Sequence, residues 1–147
     1  MFKLYLYMMD ERRSLILTIL QLAKERNILI SKTKLQKLVF LLQKELGVEY
    51  FKFIPYKYGP WSYDLVNEVD ELLKEGVIKE YSIDTMKFYE IQIDIEKNER
   101  VERIANKYIH LPLEYLLALI YANYPEMTEL SEIKEKVKEF QKMYNLK

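Results

Sequence analysis

The chain has 147 residues, of which half are apolar and 31% are charged; this composition is typical of one soluble globular domain and excludes an intrinsically disordered chain. Its 23 basic and 23 acidic side chains give a formal net charge of zero, which disfavours a protein whose main task is to hold a phosphate backbone. The absence of cysteine excludes disulfides, zinc–thiolate sites and cysteine nucleophiles, and it favours a cytoplasmic location.

Two further features of the composition concern the environment of the protein. No apolar run approaches the roughly 20 residues that span a bilayer, so we expect no membrane partner. The abundance of Lys, Glu, Ile and Tyr is typical of proteins from hot environments.

Residues 1–9 are apolar but too short for a signal peptide, and they lack a small-residue cleavage site. We expect them to be an N-terminal extension. They form either an added edge strand or a stretch upstream of a true initiator at Met8 or Met9.

Apolar residues recur every three or four positions in three segments, which predicts helices at about residues 11–26, 32–46 and 62–75. Asp10 and Ser62 are suited to cap the first and third helices, because short side-chain oxygens accept hydrogen bonds from the first turn. Gly47 and Gly76 are suited to end the second and third helices in the left-handed conformation.

The next segment, residues 77–95, predicts a β-hairpin that turns at Asp84 and Thr85. Its second half alternates apolar and polar residues, which predicts a buried face formed by Tyr89, Ile91, Ile93 and Ile95. Helical patterns then return over about residues 97–108, from Pro112 to 124, and from about residue 129 onward.

The order of these elements predicts an α+β, mostly α fold in a single domain of residues 1–147. Three helices and a hairpin over residues 10–95 are the order of a winged-helix-like core, and residues 96–147 form a C-terminal helical part. In DNA-binding winged-helix domains the third helix lies in the major groove. Here the third helix carries five acidic residues and one lysine, a net charge of −4, which disfavours that use.

Positive charge collects elsewhere, at Lys32, Lys34, Lys37, Lys52 and Lys57. We favour the interpretation that these lysines form a solvated face of a Lys-rich protein. The alternative is a basic patch that docks an acidic partner or nucleic acid.

The stretch "YKYGPWSY", residues 56–63, places aromatic side chains around a Gly-Pro dipeptide that restricts the backbone. The rings either cover the seam between the second and third helices or form a recognition surface, because rings held in place lose little entropy on contact. The predicted partner-binding residues are Tyr56, Tyr58, Gly59, Pro60, Trp61 and Tyr63. We expect the Trp61 indole to be half-buried over Tyr58 with one edge exposed.

Sequence features of an enzyme are missing. His110 is the single histidine and cannot build a metal site alone, and the three glycines serve as turns rather than as a phosphate-binding loop. Asp64, Glu68 and Glu71 share one face of the predicted third helix, a spacing suited to a hard metal cation. No further ligand accompanies them in the sequence, so we interpret this face as solvated. The sequence therefore predicts a protein with no catalytic residues, no cofactor and no metal.

Three stretches in order, "KLQKLVFLLQKELG", "FIPYKYGPWSYDLVNEVDELLKEGVI" and "ALIYANYPEMTELSEIKEKV", resemble the Panacea domain, the family of SocA-like antitoxins. The resemblance covers roughly residues 11–140. The positions that match the family pattern are Leu35, Gln36, Lys37, Leu38, Tyr58, Gly59, Pro60, Leu65, Gly76, Tyr124, Pro125, Ser131 and Ile133. Phe40 stands where the family often has tyrosine, and Trp61 where smaller residues are common.

The resemblance implies a non-enzymatic protein that neutralises a toxin or delivers a client for degradation through protein–protein contact. The alternative is a winged-helix transcription regulator that binds DNA through the lysines of the second helix and the hairpin. A homodimer is a further alternative that the sequence leaves open.

Overall fold

The computed structural model describes residues 10–146, so the predicted N-terminal extension at residues 1–9 lies outside the described residues. Within this range the fold is α+β and mainly helical, with six α-helices and two small antiparallel sheets. This confirms the predicted α+β, mostly helical class. No helix of the described range combines the length and the apolar character that crossing a membrane requires.

The helices are α1 Glu11–Glu25, α2 Lys32–Leu46, α3 Tyr63–Lys74, α4 Glu99–Ala105, α5 Leu113–Asn123 and α6 Lys134–Met143. The strands are β1 Ile30–Ser31, β2 Ile54–Tyr56, β3 Gly59–Trp61, β4 Ile78–Ile83 and β5 Met86–Ile91. A short 3-10 helix, Pro125–Met127, follows α5. The first three helices agree with the sequence prediction to within one residue at each end.

The predicted helix ends are formed by the residues that the sequence indicated. Asp10 Oδ1 accepts the Arg13 N–H at 2.8 Å, and Ser62 Oγ accepts the Leu65 N–H at 3.1 Å. Gly47 has φ +71° after the end of α2. These caps satisfy backbone groups that would otherwise lack partners at the helix termini.

The larger sheet has the strand order β1-β5-β4, and all pairs are antiparallel. Strand β1, which lies between α1 and α2, pairs with β5 so that Ile30 is opposite Tyr89. Strands β4 and β5 form the predicted hairpin, with Ile83 opposite Met86 at its tip. The smaller sheet is a second hairpin of β2 and β3.

The hydrophobic core is one cluster centred on α1 and α2, both of which are buried over most of their length. The C-terminal helices contribute to the same cluster through Val101, Ala105, Ile109, Leu116 and Ile120. Because α2 is surrounded by other elements, its polar side chains in the middle turns are buried as well.

The predicted hairpin is shorter than the sequence pattern indicated, because β5 ends at Ile91. The Gln92 N–H still donates to the Val77 carbonyl at 2.8 Å, but the turn at Gly76 leaves no further strand for residues 93–95 to pair with. Ile93 and Ile95 pack against the core half-buried, outside any strand. Their alternating burial was predicted correctly, and their strand conformation was wrong.

The C-terminal helices also begin and end differently from the prediction. The helix expected over residues 97–108 is only α4, which starts after the Asn98 cap and gives way to turns beyond Ala105. The last helix starts at Lys134 rather than near residue 129. The reason is Ser131, whose Oγ accepts the Ile133 N–H at 3.1 Å and so holds this stretch in a turn.

Candidate partner-binding surface

The predicted binding stretch forms the hairpin of β2 and β3, which turns at Lys57 and Tyr58. Tyr56 is paired with Gly59 across the turn. Gly59 adopts φ +89°, a conformation that side chains with a Cβ rarely take, and a Cβ added there would lie 3.1 Å from the Tyr121 ring. Glycine is therefore required at this position by both backbone conformation and space.

Two buried glutamines of α2 hold the chain that leads into and out of this hairpin. Gln36 donates to the Ser62 carbonyl at 3.0 Å and accepts the Ser62 N–H at 2.8 Å. Gln43 donates to the Phe51 carbonyl at 3.1 Å and accepts the Phe51 N–H at 2.7 Å. Each amide satisfies both backbone groups of one residue, as a neighbouring strand would. The hairpin is thus fixed to α2 by side chains.

Lys37 lies between these glutamines and does not belong to a surface patch, contrary to the sequence interpretation. It is fully buried, and its Nζ donates to the Pro60 carbonyl at 2.8 Å. Burial lowers the pKa of Lys37 from 10.5 to about 7. The prediction failed because lysine was assigned to the surface by residue type, although its helical position faces the hairpin.

The other four lysines of the predicted basic patch differ in their exposure to solvent. Lys34 is half-buried, and burial lowers the pKa of its amine. Lys32, Lys52 and Lys57 are exposed. Only these three of the five predicted lysines are fully available at the surface.

The C-terminal part of the chain closes on the hairpin from behind. The Glu132 N–H donates to the Lys57 carbonyl at 2.8 Å. The Tyr121 hydroxyl lies 2.6 Å from Ser131 Oγ, and the ring of Tyr121 packs against Gly59. Sequence reasoning missed the role of Tyr121, because no local pattern connects it with the turn; Ser131 was marked only by the resemblance.

The aromatic surface consists of Tyr56, Tyr58, Trp61 and Tyr63. Tyr58 and Tyr63 are 48% and 53% exposed, whereas Tyr56 and Trp61 are half-buried. Tyr56 stacks on Trp61 with ring centroids 6.0 Å apart at 29°, and it meets Tyr63 edge-on at 6.1 Å. A hydrogen bond with Tyr56 raises the pKa of the Tyr63 phenol.

The stacking partner of Trp61 differs from the prediction, which placed the indole over Tyr58. Trp61 is opposite Ile54 in the hairpin register, and Tyr56 lies two residues from Ile54 on the same face. Tyr58 is in the turn, outside this face. The half-buried state of Trp61 was predicted correctly, while Gly59 and Pro60 are buried beneath the rings.

Two lysines lie over rings of the aromatic surface. Lys32 Nζ is 5.9 Å from the centroid of the Trp61 ring, and Lys57 Nζ is 5.9 Å from that of Tyr56. Both distances are within the range at which a cation is attracted to the face of an aromatic ring, about 6 Å. The surface therefore combines stacked rings with two positive charges.

Of the three acidic residues of α3 that we interpreted as a solvated face, Asp64 and Glu71 are exposed as predicted, whereas Glu68 is not. Glu68 is 12% exposed and accepts the Arg13 Nε–H at 2.8 Å, and Glu75 pairs with the same guanidinium at 2.6 Å. The hydrogen bond to Arg13 lowers the pKa of Glu75. Asp64 and Glu71 remain exposed. Part of the negative charge of α3 thus serves to join α1 to α3.

Within residues 10–146 there is no group of three or more His, Cys, Asp or Glu side chains that could hold a metal ion. The single histidine, His110, is exposed.

Comparison of the chain with protein-family models, with curated proteins and with solved structures finds no match.

Proposed function

We propose that the protein is a non-enzymatic binding module that neutralises or delivers a partner protein by direct contact, with the aromatic surface at the centre of the interface. The observation that carries this proposal is that three rings of the hairpin and the ring of Tyr63, at the start of α3, lie on a backbone that Gln36, Lys37 and Gln43 hold at Ser62, Pro60 and Phe51. Tryptophan and tyrosine dominate the energetics of protein interfaces, and rings that are already ordered lose little entropy on binding.

The resemblance to the Panacea domain supports the same proposal. Its matched residues Tyr58, Gly59 and Pro60 form the turn and start of β3, and its matched Ser131 lies behind them against Tyr121. Members of that family act on a toxin or a client protein by contact, and their partners vary. A cytoplasmic location is part of the proposal.

We further propose that residues 10–95 form a winged-helix-like core. The order of three helices followed by a hairpin supports it, as does the pairing of β1, between the first two helices, with β5. In this comparison β4 and β5 are the wing, and α3 is the helix that would enter the DNA major groove.

The charges of α3 and of the wing favour a protein partner over DNA. On the wing, Lys79 pairs with Glu90 at 3.5 Å and Lys87 with Glu80 at 3.4 Å, so neither lysine is free for a phosphate. At the tip of the wing, the side chains of Ile83 and Met86, exposed by 47% and 53%, offer no positive charge to a phosphate. Phosphate contacts supply most of the affinity of DNA-binding proteins, and these elements offer few.

Affinity capture from cell extract tests the proposed surface. The parent protein is compared with a Tyr63→Lys variant, in which an exposed ring of the aromatic surface is replaced, and with an Ile83→Lys variant on the wing as a matched control. We expect one or more proteins to be retained by the parent and the wing variant and lost from the Tyr63 variant. Equal retention by all three proteins would contradict the proposal.

A gel-shift experiment at low and moderate salt tests the alternative DNA-binding function. We expect weak binding without sequence preference. Tight, sequence-selective binding with a steep dependence on salt concentration would favour the winged-helix regulator instead.

A further inference from the structure

We infer that the aromatic surface accepts an acidic, extended segment of the partner protein, with carboxylates of that segment placed at Lys32 and Lys57. This inference rests on the proposed function, because it specifies the chemistry of the partner for the same surface. It follows from the arrangement of rings and charges around Tyr56 and Trp61.

The two lysines and the two stacked rings form one continuous row of contacts. Lys32 lies 5.9 Å from Trp61, Trp61 lies 6.0 Å from Tyr56, and Tyr56 lies 5.9 Å from Lys57. A positive charge therefore flanks each ring of the stacked pair. An apolar side chain of a partner that contacts the rings places its neighbouring residues within reach of both ammonium groups.

Within residues 10–146, neither of these lysines forms an ion pair. In the part of the chain that the structure describes, no carboxylate lies within 4.0 Å of the ammonium group of Lys32 or Lys57. Other lysines of the protein do form ion pairs, namely Lys74, Lys79, Lys87, Lys97, Lys107 and Lys138. The nearby Asp64 carboxylate accepts the Lys52 N–H at 3.0 Å. The surface thus presents two cations that a partner can neutralise.

A short extended segment is long enough to contact both cations. At most three successive contacts of about 6 Å separate the two ammonium groups, a span that about five residues of extended chain cover. Glutamate or aspartate near each end of such a segment reaches the lysines, while the residues between them contact the exposed parts of the half-buried rings.

The rings are poorly placed for a single-stranded nucleic acid, the other polyanion that combines with aromatic residues and lysines. Base stacking requires an open ring face. Tyr56 and Trp61 face each other, and each is also covered by a lysine.

Trp61 is the only tryptophan, so its fluorescence reports directly on this surface. The probes are three synthetic 12-residue peptides without aromatic residues, with the same prolines and serines, in which the variable positions are all Glu, all Gln or all Lys. A 12-mer of deoxythymidine is the fourth probe. We expect the Glu peptide to change Trp61 fluorescence at 50 mM salt with an affinity at least tenfold higher than the Gln peptide. The Lys peptide is expected to have no effect.

Lysine variants then locate the contact. Lys32→Gln and Lys57→Gln are each expected to weaken binding of the Glu peptide by about 2- to 5-fold, the range for single exposed charge pairs, and the double variant more. Lys138→Gln on α6, where the lysine is also exposed but pairs with Glu135 at 3.2 Å, is the control for a general loss of positive charge and should leave binding unchanged. Circular dichroism confirms that each variant is folded.

The inference is wrong if the Glu and Gln peptides bind equally, or if Lys138→Gln weakens binding as much as Lys32→Gln does. Stronger binding of the deoxythymidine 12-mer than of the Glu peptide would overturn it in favour of nucleic acid. These outcomes leave the proposed function standing as long as the Tyr63→Lys variant loses its protein partner in the capture experiment. Failure of the proposed function and failure of this inference are therefore distinguishable.

Discussion

Each of the two hairpins, β2–β3 and β4–β5, carries one pair of stacked rings. The contacts that hold the two hairpins in place are different. Tyr56 stacks on Trp61 at 6.0 Å and 29°, and Tyr81 stacks on Phe88 at 5.9 Å and 30°. The wing has six residue pairs between its strands, whereas the shorter hairpin has three. A hairpin this short is not stable by itself, so its geometry must come from elsewhere in the molecule.

What supplies that geometry is a set of buried polar contacts from α2 and from the C-terminal part of the chain. Within residues 10–146, the hairpin of β4 and β5 has no such contacts at its tip, where Ile83 and Met86 are exposed. A hairpin that is too short to be stable alone is therefore held in place by side-chain hydrogen bonds rather than by the length of its strands. Four substitutions test this difference between the two hairpins.

Loss of a glutamine anchor is expected to have the largest effect. Gln36→Leu leaves the buried Ser62 N–H without a partner and leaves the Ser62 carbonyl with the Val66 N–H alone, at 3.3 Å. It should lower the free energy of unfolding by about 3 kcal/mol, since an unsatisfied buried group costs about 1–3 kcal/mol and a lost hydrogen bond about 1 kcal/mol. Urea denaturation measures this. Gln92→Leu is the control at the end of the wing, because Gln92 is exposed and should cost less than about 0.5 kcal/mol. Equal losses for the two variants would refute the anchoring role.

The buried amine of Lys37 should make stability depend on pH. Its pKa is about 7 in the folded protein against 10.5 ordinarily, so the unfolded chain binds more protons between these values. The stability of the parent relative to a Lys37→Met variant should therefore rise from pH 7 to pH 10 by about 3 kcal/mol, at 1.36 kcal/mol for each pH unit over which Lys37 is protonated only in the unfolded chain.

Urea titrations of both proteins at several pH values measure this difference, in which the other titrating groups cancel. Below pH 7 the difference should be constant, because Lys37 is protonated in both states. A difference that does not change between pH 7 and pH 10 would show that the amine is not desolvated as the structure indicates.

A methyl group added beside the turn of the short hairpin should lower the free energy of unfolding by less than the loss of Gln36 does. Gly59→Ala combines an unfavourable positive φ, worth about 1–2 kcal/mol, with a close approach to Tyr121. Gly47→Ala is the matched control, since its φ is also positive but no atom lies within 4 Å of the added Cβ. Thermal melts should show the larger loss for Gly59, by about 1 kcal/mol. Equal losses would mean that Tyr121 moves away without cost.

Truncation of the stacked rings is expected to change stability least. Trp61→Ala and Tyr81→Ala each remove one partner of a half-buried stack, and each should cost about 1–2 kcal/mol, of which the stacking itself contributes about 0.5–1.5 kcal/mol. Only the Trp61 variant should weaken partner binding, by about 2 kcal/mol or more. Melting temperatures beside a pull-down measure both. A much larger loss of stability for Trp61 would assign it to the core instead.

The local parts of this fold were predictable from the sequence. Asp10, Ser62 and Gly47 act as the helix ends that their residue types indicated, because capping depends only on neighbouring backbone groups. The turn of the wing at Asp84 followed from the same kind of local reasoning.

The parts that depend on distant contacts were not predictable. The burial of Lys37 depends on the Pro60 carbonyl of the hairpin, which faces it. The burial of Glu68 depends on its hydrogen bond with Arg13, which lies on a different helix. The position of Trp61 was half predictable. The prediction that its ring is half-buried was right. The ring on which it stacks depends on the strand register, which single residues do not reveal.

The hydrogen bond between Glu132 and the Lys57 carbonyl has a consequence for the order of events during synthesis of the chain. The ribosome releases the hairpin long before it releases the residues that close behind it, and contacts of such high sequence separation form late in folding. We therefore expect nascent chains to emerge with α1 and α2 able to associate while the rings are still unplaced. We expect the rings to reach their final positions only after the chain has been synthesised beyond Glu132.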